Sequence, residues 1–285
     1  MELLRALGAL AESAGQGTEA VTAALGLGAP DPADHTELFV LQLPPYASVY
    51  LGPDGMLGGD ARDRIAGFWR ATGATPPDEP DHLTTLLSAY ASLADGEAAA
   101  DGDPGWRRLR HAFFWEHLAS WLVPWARRVA EVAPGAYRSW AGLLEDAVAR
   151  EVERLGPPAG LPAHLREAAP AGTEAEGAGL LGAVLSPARS GLILARTDLA
   201  RAAGSLGLGL RMGERRYILE NFFHQAPEAT AAWLAEEARR QADALERGRP
   251  VPLITEHWAT RARSTADRLD GDRVPYPPLQ EATHA

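Results

Sequence analysis

The chain has 285 residues, 46% of them hydrophobic, with a formal net charge of -11 and an isoelectric point near 5.2. Such acidity disfavours nucleic-acid binding, which needs basic patches against phosphate, and suits a basic partner instead. The chain has no cysteine, and all 27 of its basic residues are arginine. This composition excludes disulfides, thiol catalysis, cysteine-bound metals and a catalytic or Walker A lysine. We expect no cofactor and no metal site.

The sequence predicts neither a membrane-spanning segment nor a signal peptide. No apolar run approaches membrane-spanning length, and the N-terminus from Met1 to Arg5 lacks a basic region followed by a long apolar core. We therefore expect a cytoplasmic protein without membrane insertion.

Residues 1–155 are predicted to form one helix after another, because apolar residues recur there at helical spacing and none of the stretch alternates with a period of two. Helices are expected from Leu3, from Thr18 and from Asp60, with the Pro44-Pro45-Tyr46 loop between the last two. A further helix is expected from Pro80 to about Ala94. Pro124 fits only a first turn or a kink, so we predict a break near Ser120 in the helices that follow.

The second half of the chain has a different pattern. Residues 156–189 are rich in proline, glycine and alanine, which indicates a linker or an irregular crossing. Residues 190–285 are predicted to form a helical extension, with a disordered tail after Val274. The run Ser190–Leu194 is the one plausible strand. The predicted fold is therefore all-α, with a helical bundle over residues 1–155 and a helical C-terminal extension.

The stretch Glu79-Pro80-Asp81-His82 is the first candidate site. It follows a proline-rich segment and precedes an apolar helical stripe, so we place it at a helix N-terminus. Pro80 suits the first helical position, Asp81 suits a cap, and carboxylates there complement the helix dipole. We expect His82 to lie half exposed at this end. Asp and Pro are also ordinary residues at helix starts, so the stretch alone does not specify a function.

Two further motifs accompany this stretch, namely Pro44-Pro45-Tyr46-Ala47-Ser48-Val49-Tyr50 upstream and His117-Leu118 followed by Trp121 and Trp125 downstream. The set, in this order and spacing, resembles the TorD/NarJ-type redox-enzyme maturation chaperones over roughly residues 34–155. The resemblance implies a cytoplasmic chaperone that binds a molybdenum-containing oxidoreductase subunit, its twin-arginine signal peptide, or both. Its role would be to assist cofactor insertion and proofreading before export. The partner would be the catalytic subunit or its signal peptide, and the chaperone a monomer or homodimer.

The resemblance also implies a set of peptide-binding residues, since it carries no catalytic residues with it. Six of the candidates lie in the first two motifs, and Trp69 lies on the predicted helix between them. The full set is Tyr46, Tyr50, Trp69, Glu79, Pro80, Asp81 and His82. The long C-terminal half departs from the shorter members of the family and raises the question of whether the site stays open.

The charge pattern agrees with a basic partner. No arginine occurs between Arg70 and Arg107, whereas seven acidic residues lie between Asp78 and Asp103. We interpret this stretch either as a solvated acidic face or as a negative mouth beside an apolar groove, which would match a basic, then apolar, signal peptide. Two other functions remain open. One is a helical peptide-binding adaptor without a fixed client, and the other is an enzyme that uses His82 and nearby carboxylates for proton transfer.

Overall fold

A computed structural model describes residues 1–14, 17–101, 103–171, 177–211 and 213–271. Within these ranges every regular element is helical, and the single β pairing is an isolated bridge between Tyr46 and His82. The all-α prediction is confirmed. None of these helices is both long enough and apolar enough to cross a membrane. The predicted disordered tail after Val274 lies outside the described residues.

The first half of the chain contains nine α-helices and two π-helical segments within the described residues. They are α1 (Glu2–Glu12), α2 (Glu19–Ala24), α3 (Pro32–His35), a π-helical segment (Thr36–Gln42), α4 (Ala47–Leu51), α5 (Gly59–Ala71), α6 (Leu83–Ala99), α7 (Pro104–Phe113), a second π-helical segment (Phe114–Ala119), α8 (Ser120–Val132) and α9 (Gly135–Leu155).

The second half continues with shorter helices and ends in a long antiparallel pair. The described elements are α10 (Ala163–Glu167), α11 (Gly177–Val184), α12 (Pro187–Ser190), α13 (Arg196–Leu206), α14 (Arg215–Gln225), α15 (Pro227–Arg247) and α16 (Ile254–Gly271). Residues 156–189, predicted to be a linker or an irregular crossing, thus contain three short helices in their described part.

An aromatic core holds the first half together. α1 packs against α6, and α8 packs against α9. Trp121, Trp125 and Trp140 are fully buried between these pairs. The buried indole N–H of Trp140 donates to the Leu7 carbonyl at 3.0 Å. The aromatic residues near the centre of the sequence are therefore core, as their helical spacing indicates.

The predicted helix break near Ser120 is wrong, because the chain stays helical through this residue. α7, the second π-helical segment and α8 follow one another without a gap from Pro104 to Val132, and Pro124 lies inside α8. The irregularity appears instead as a π-helical turn just before α8. Proline removes a helical N–H and crowds the preceding turn, and a wider turn accommodates both effects.

The predicted strand at Ser190–Leu194 is also wrong. Ser190 ends α12, Gly191 adopts a left-handed conformation, and the buried residues that follow have no partner strand among the described residues. The side chain of Gln241 takes the place of a strand: its Oε1 accepts from the Ile193 N–H at 3.0 Å, and its Nε2 donates to the Ile193 carbonyl at 3.1 Å. Arg128 Nε donates to the same carbonyl at 3.2 Å. Side chains thus satisfy a buried backbone that a sheet would otherwise satisfy.

Packing continues across the predicted boundary at residue 155. The core of the first half includes Ile193, Val251 and Trp258 from the second half, while a second core forms among α11 and α13–α16. A buried ion pair between Arg128 on α8 and Asp198 on α13 joins the halves at 2.5 Å. The division into residues 1–155, 156–189 and 190–285 stays a prediction.

Candidate functional site

The two candidate motifs meet in space as a short antiparallel pairing. The Ala47 N–H donates to the Asp81 carbonyl at 3.0 Å, and the Leu83 N–H donates to the Pro45 carbonyl at 2.8 Å. These bonds form the bridge between Tyr46 and His82. The intervening chain, which contains α4 and α5, is therefore closed at its base by the two motifs.

Tyr46 and Glu79 form the accessible part of this junction. The Tyr46 hydroxyl donates to Glu79 Oε1 at 3.0 Å, across 33 residues of sequence. Tyr46 is half-buried and Glu79 is exposed. Burial, together with the hydrogen bond to Glu79, raises the pKa of Tyr46 to about 12, so its hydroxyl stays protonated and the carboxylate keeps its donor. Among the described residues nothing donates to Glu79 Oε2, which leaves one oxygen for a ligand.

Asp81 lies beneath the surface, not on it. Its side chain is 2% exposed and accepts from the Ser48 N–H at 3.2 Å. Its carbonyl accepts from Ala47, so Asp81 satisfies two N–H groups in the first turn of α4. The expectation that Asp81 caps the helix that follows it is wrong, because the residue instead caps α4 from a distant part of the chain. The expectation that Pro80 begins that helix is wrong too: α6 begins at Leu83, and Pro80 is buried in the turn before it.

His82 is the residue that caps α6. Its Nδ1 accepts from the Thr84 N–H at 3.3 Å, which places the ring proton on Nε2. The ring packs edge-on against Tyr46, with centroids 4.7 Å apart. His82 is 8% exposed, so the expectation of a half-exposed histidine is wrong. Burial lowers the pKa of His82, against the pull of Glu79, Glu12 and Asp81, and this favours the neutral ring that can accept.

Tyr50 and Trp69 support the junction from inside. Tyr50 has no exposed surface; its hydroxyl donates to the Pro44 carbonyl at 2.8 Å, and its ring stacks on Trp121 at 5.5 Å. Trp69 on α5 is half-buried against the core. The structure therefore brings Tyr46, Glu79 and His82 together at one place and leaves Trp69 apart from that contact set.

The acidic stretch does not form one mouth. α6 has 17 residues and separates its two ends by about 25 Å. Asp78 and Glu79 lie before its start, whereas Asp95 pairs with Arg5 and Glu97 pairs with Arg110 at 3.0 Å near its other end. The sequence interpretation of a single negative mouth is wrong, because acidic residues at opposite ends of a long helix are far apart in space.

Metal ligation needs several His, Asp or Glu side chains that converge on one point. Among the described residues no group of three or more His, Asp or Glu side chains could hold a metal ion. His82 is 8% exposed, and its ring packs edge-on against Tyr46. A small crevice lies elsewhere, between α8, α9 and the end of α15, where it is lined by Leu122, Val148 and Leu245.

Sequence reasoning missed two parts of this region. Ser48 links Asp81 to the loop after α4, because its hydroxyl accepts from the Gly58 N–H at 3.0 Å. That loop carries the exposed pair Met56 and Leu57. The signal was present in the sequence: glycine and aspartate flank this pair on both sides, with Pro53 before it, which is typical of a loop that keeps apolar residues outside any helix.

A protein-family model matches the part of the chain that contains this site. Residues 3–127 match the model of the family described as nitrate reductase delta subunit. The chaperone protein TorD of Vibrio vulnificus (strain YJ016) is 32% identical over an alignment of 108 residues. The alignment covers 35% of this chain and 50% of TorD. The chain thus spans about half the length of this curated relative.

The resemblance to the TorD/NarJ family is confirmed by these matches, over residues 3–127. The matched part begins earlier than the expected residue 34 and ends earlier than the expected residue 155. It includes the whole junction of Tyr46, Glu79, Asp81 and His82. The last turn of α8, all of α9 and the second half of the chain lie beyond it.

Proposed function

We propose that this protein is a maturation chaperone for a molybdenum-containing oxidoreductase, acting in the cytoplasm before that enzyme is exported. The observation that carries the proposal is the match of residues 3–127 to the TorD/NarJ family, together with the position of the Tyr46–His82 junction inside the matched part. The client is the catalytic subunit, its twin-arginine signal peptide, or both, and binding holds the client for cofactor insertion.

The proposed contact surface consists of Tyr46 and Glu79. These are the candidates with accessible polar atoms, since Asp81 and Tyr50 are buried. Asp81, His82 and Pro80 then have a positioning role: they fix the turn that presents Glu79, and they join it to α4 and α6. Glu79 Oε2 offers a carboxylate oxygen to an arginine guanidinium of the client.

The two other functions receive less support. Proton transfer by His82 needs an accessible ring, and here the ring is enclosed and its Nδ1 already caps α6. An adaptor without a fixed client would bind apolar peptides regardless of a basic start. A peptide with alanine in place of both arginines separates this adaptor from the proposed chaperone, because the adaptor would bind it as tightly as the original peptide.

The test is calorimetric titration with a synthetic twin-arginine signal peptide and two variants, at low and high salt. Exposed charge pairs contribute about 0–1 kcal/mol each and are screened by salt, whereas apolar burial contributes about 25 cal/mol per Å² and is not. Serine in place of two core leucines should therefore weaken binding far more than lysine in place of both arginines. A negative heat-capacity change should accompany binding. Binding that salt abolishes and the leucine changes leave unaffected would contradict an apolar contact.

A further inference from the structure

The loop between α4 and α5 exposes two adjacent large apolar side chains. Met56 is 65% exposed and Leu57 is 61% exposed, which places them among the three most exposed large apolar side chains of the described residues. Single exposed apolar residues are ordinary, but an adjacent pair on one loop forms a patch. Methionine in such a patch adapts its shape to different partners.

The loop is held in place at its base, so the exposure of this pair belongs to a defined conformation. Gly58 donates its N–H to the Ser48 hydroxyl at 3.0 Å, and the Ser186 hydroxyl donates to the Gly52 carbonyl at 3.0 Å. Gly55 has a φ of 64°, and a Cβ there would lie 2.2 Å from the Leu185 carbonyl oxygen. Backbone contacts therefore fix the loop while both apolar side chains face water.

Ser48 connects this loop to the proposed contact surface. Its backbone N–H donates to the Asp81 carboxylate, and its hydroxyl accepts from Gly58. Asp81 is two residues from Glu79, so a chain of two hydrogen bonds joins the base of the loop to the turn that presents Glu79. The apolar pair and the Tyr46–Glu79 surface thus belong to one hydrogen-bonded unit.

Carboxylates flank the apolar pair. Asp54 and Asp60 are both exposed, and neither forms an ion pair within the described part of the chain. Glu79 adds a third carboxylate through the Ser48 connection. An apolar surface with unpaired acids beside it complements a segment in which basic residues adjoin an apolar run.

We propose that Met56 and Leu57 contact the apolar core of the client's signal peptide, while Asp54, Asp60 and Glu79 face its basic start. This inference rests on the function proposed above and adds the place at which the apolar core is bound. The contact is a protruding loop that packs onto the peptide, and not the groove that the sequence suggested.

The test uses a synthetic peptide with two arginines followed by a leucine-rich core, titrated into the full chain. The Met56→Ser/Leu57→Ser double variant should raise Kd at least tenfold. Its matched control is Val40→Ser/Leu41→Ser, which changes two adjacent apolar side chains that are 63% and 43% exposed outside this loop. The control should change Kd by less than twofold. All four positions are exposed, so thermal melting should be the same for the three proteins.

A second peptide, with serine in place of two core leucines, identifies the partner of the loop. If Met56 and Leu57 contact the core, the double variant should lose its effect on Kd with this peptide, because the contact is already absent. An unchanged Kd for the double variant with the first peptide, at normal wild-type binding, would overturn this inference and leave the proposed function in place. Absence of binding by the wild-type chain would overturn signal-peptide recognition and this inference with it.

Discussion

The indole Nε1 of Trp258 on α16 donates to the backbone carbonyl of Ser120 on α8 at 2.9 Å. This carbonyl lies four residues before Pro124, which has no N–H to offer it, so the helix leaves the acceptor free. Trp258 is 1% exposed and belongs to the core of the first half. The irregularity that proline introduces into α8 is thus one of the points at which the second half of the chain attaches.

We expect Trp258→Phe to lower the free energy of unfolding by about 1–3 kcal/mol, because the Ser120 carbonyl would remain buried without a donor. Phenylalanine keeps most of the ring, so loss of packing contributes less. Urea denaturation measures the change. Trp106→Phe is the control, since Trp106 is 38% exposed and its replacement should have little effect. Equal stability of the two variants would show that the indole hydrogen bond is unimportant.

Asp81→Ala should destabilise the protein, by about 1–2 kcal/mol, because the change removes the cap of α4 and leaves the Ser48 N–H without its acceptor. Chemical denaturation measures the loss, with Asp78→Ala as the exposed control. A variant as stable as wild type would mean that the carboxylate does not cap α4 in solution.

Glu79→Gln should weaken binding of a twin-arginine peptide by up to about fivefold, since an exposed charge pair contributes about 0–1 kcal/mol. The loss should shrink at high salt because screening already weakens the pair. Asp101→Asn provides the control, at the far end of α6 and equally exposed. Calorimetric titration at two salt concentrations compares them. Equal losses in both variants would favour one extended acidic face.

Stability should depend on pH through buried histidines. Burial lowers the pKa of His164 to about 4, with a further lowering by Arg64. The unfolded chain therefore binds a proton near pH 6.5 that the folded chain does not, so this part of the stability is complete above pH 6.5 and is lost as pH falls toward 4. The loss is on the order of 3 kcal/mol.

His164→Phe should reduce this pH dependence, because the variant has no imidazole to protonate in either state. Urea denaturation between pH 7.5 and pH 4.5 measures the slope in both proteins. His117 also has a pKa lowered by burial, to about 3, so a weaker slope remains in the variant. Identical slopes in wild type and variant would contradict a neutral, buried His164.

Local sequence patterns predicted most of the helices, but they predicted neither the contact between the two motifs nor the burial of Asp81 and His82. Helical spacing identified α5, α6 and α9, and the proline-tyrosine motif correctly marked the loop at Tyr46. Proline and aspartate before a helix suggested a local cap, whereas Asp81 caps α4 through a contact across 33 residues. Such a contact depends on tertiary packing, which no local pattern encodes. The pairing of Gln241 with Ile193, across 48 residues, was hidden for the same reason.

We propose that this protein assists cofactor insertion into an exported molybdoenzyme. The most direct measurement is the molybdenum content per catalytic subunit of each twin-arginine molybdoenzyme in host cells that lack this chain. The claim predicts that the content of at least one such enzyme falls severalfold, that the wild-type chain restores it, and that a Tyr46→Phe/Glu79→Gln variant restores it less than Asp101→Asn does. Full molybdenum content in every such enzyme without this chain would contradict the claim.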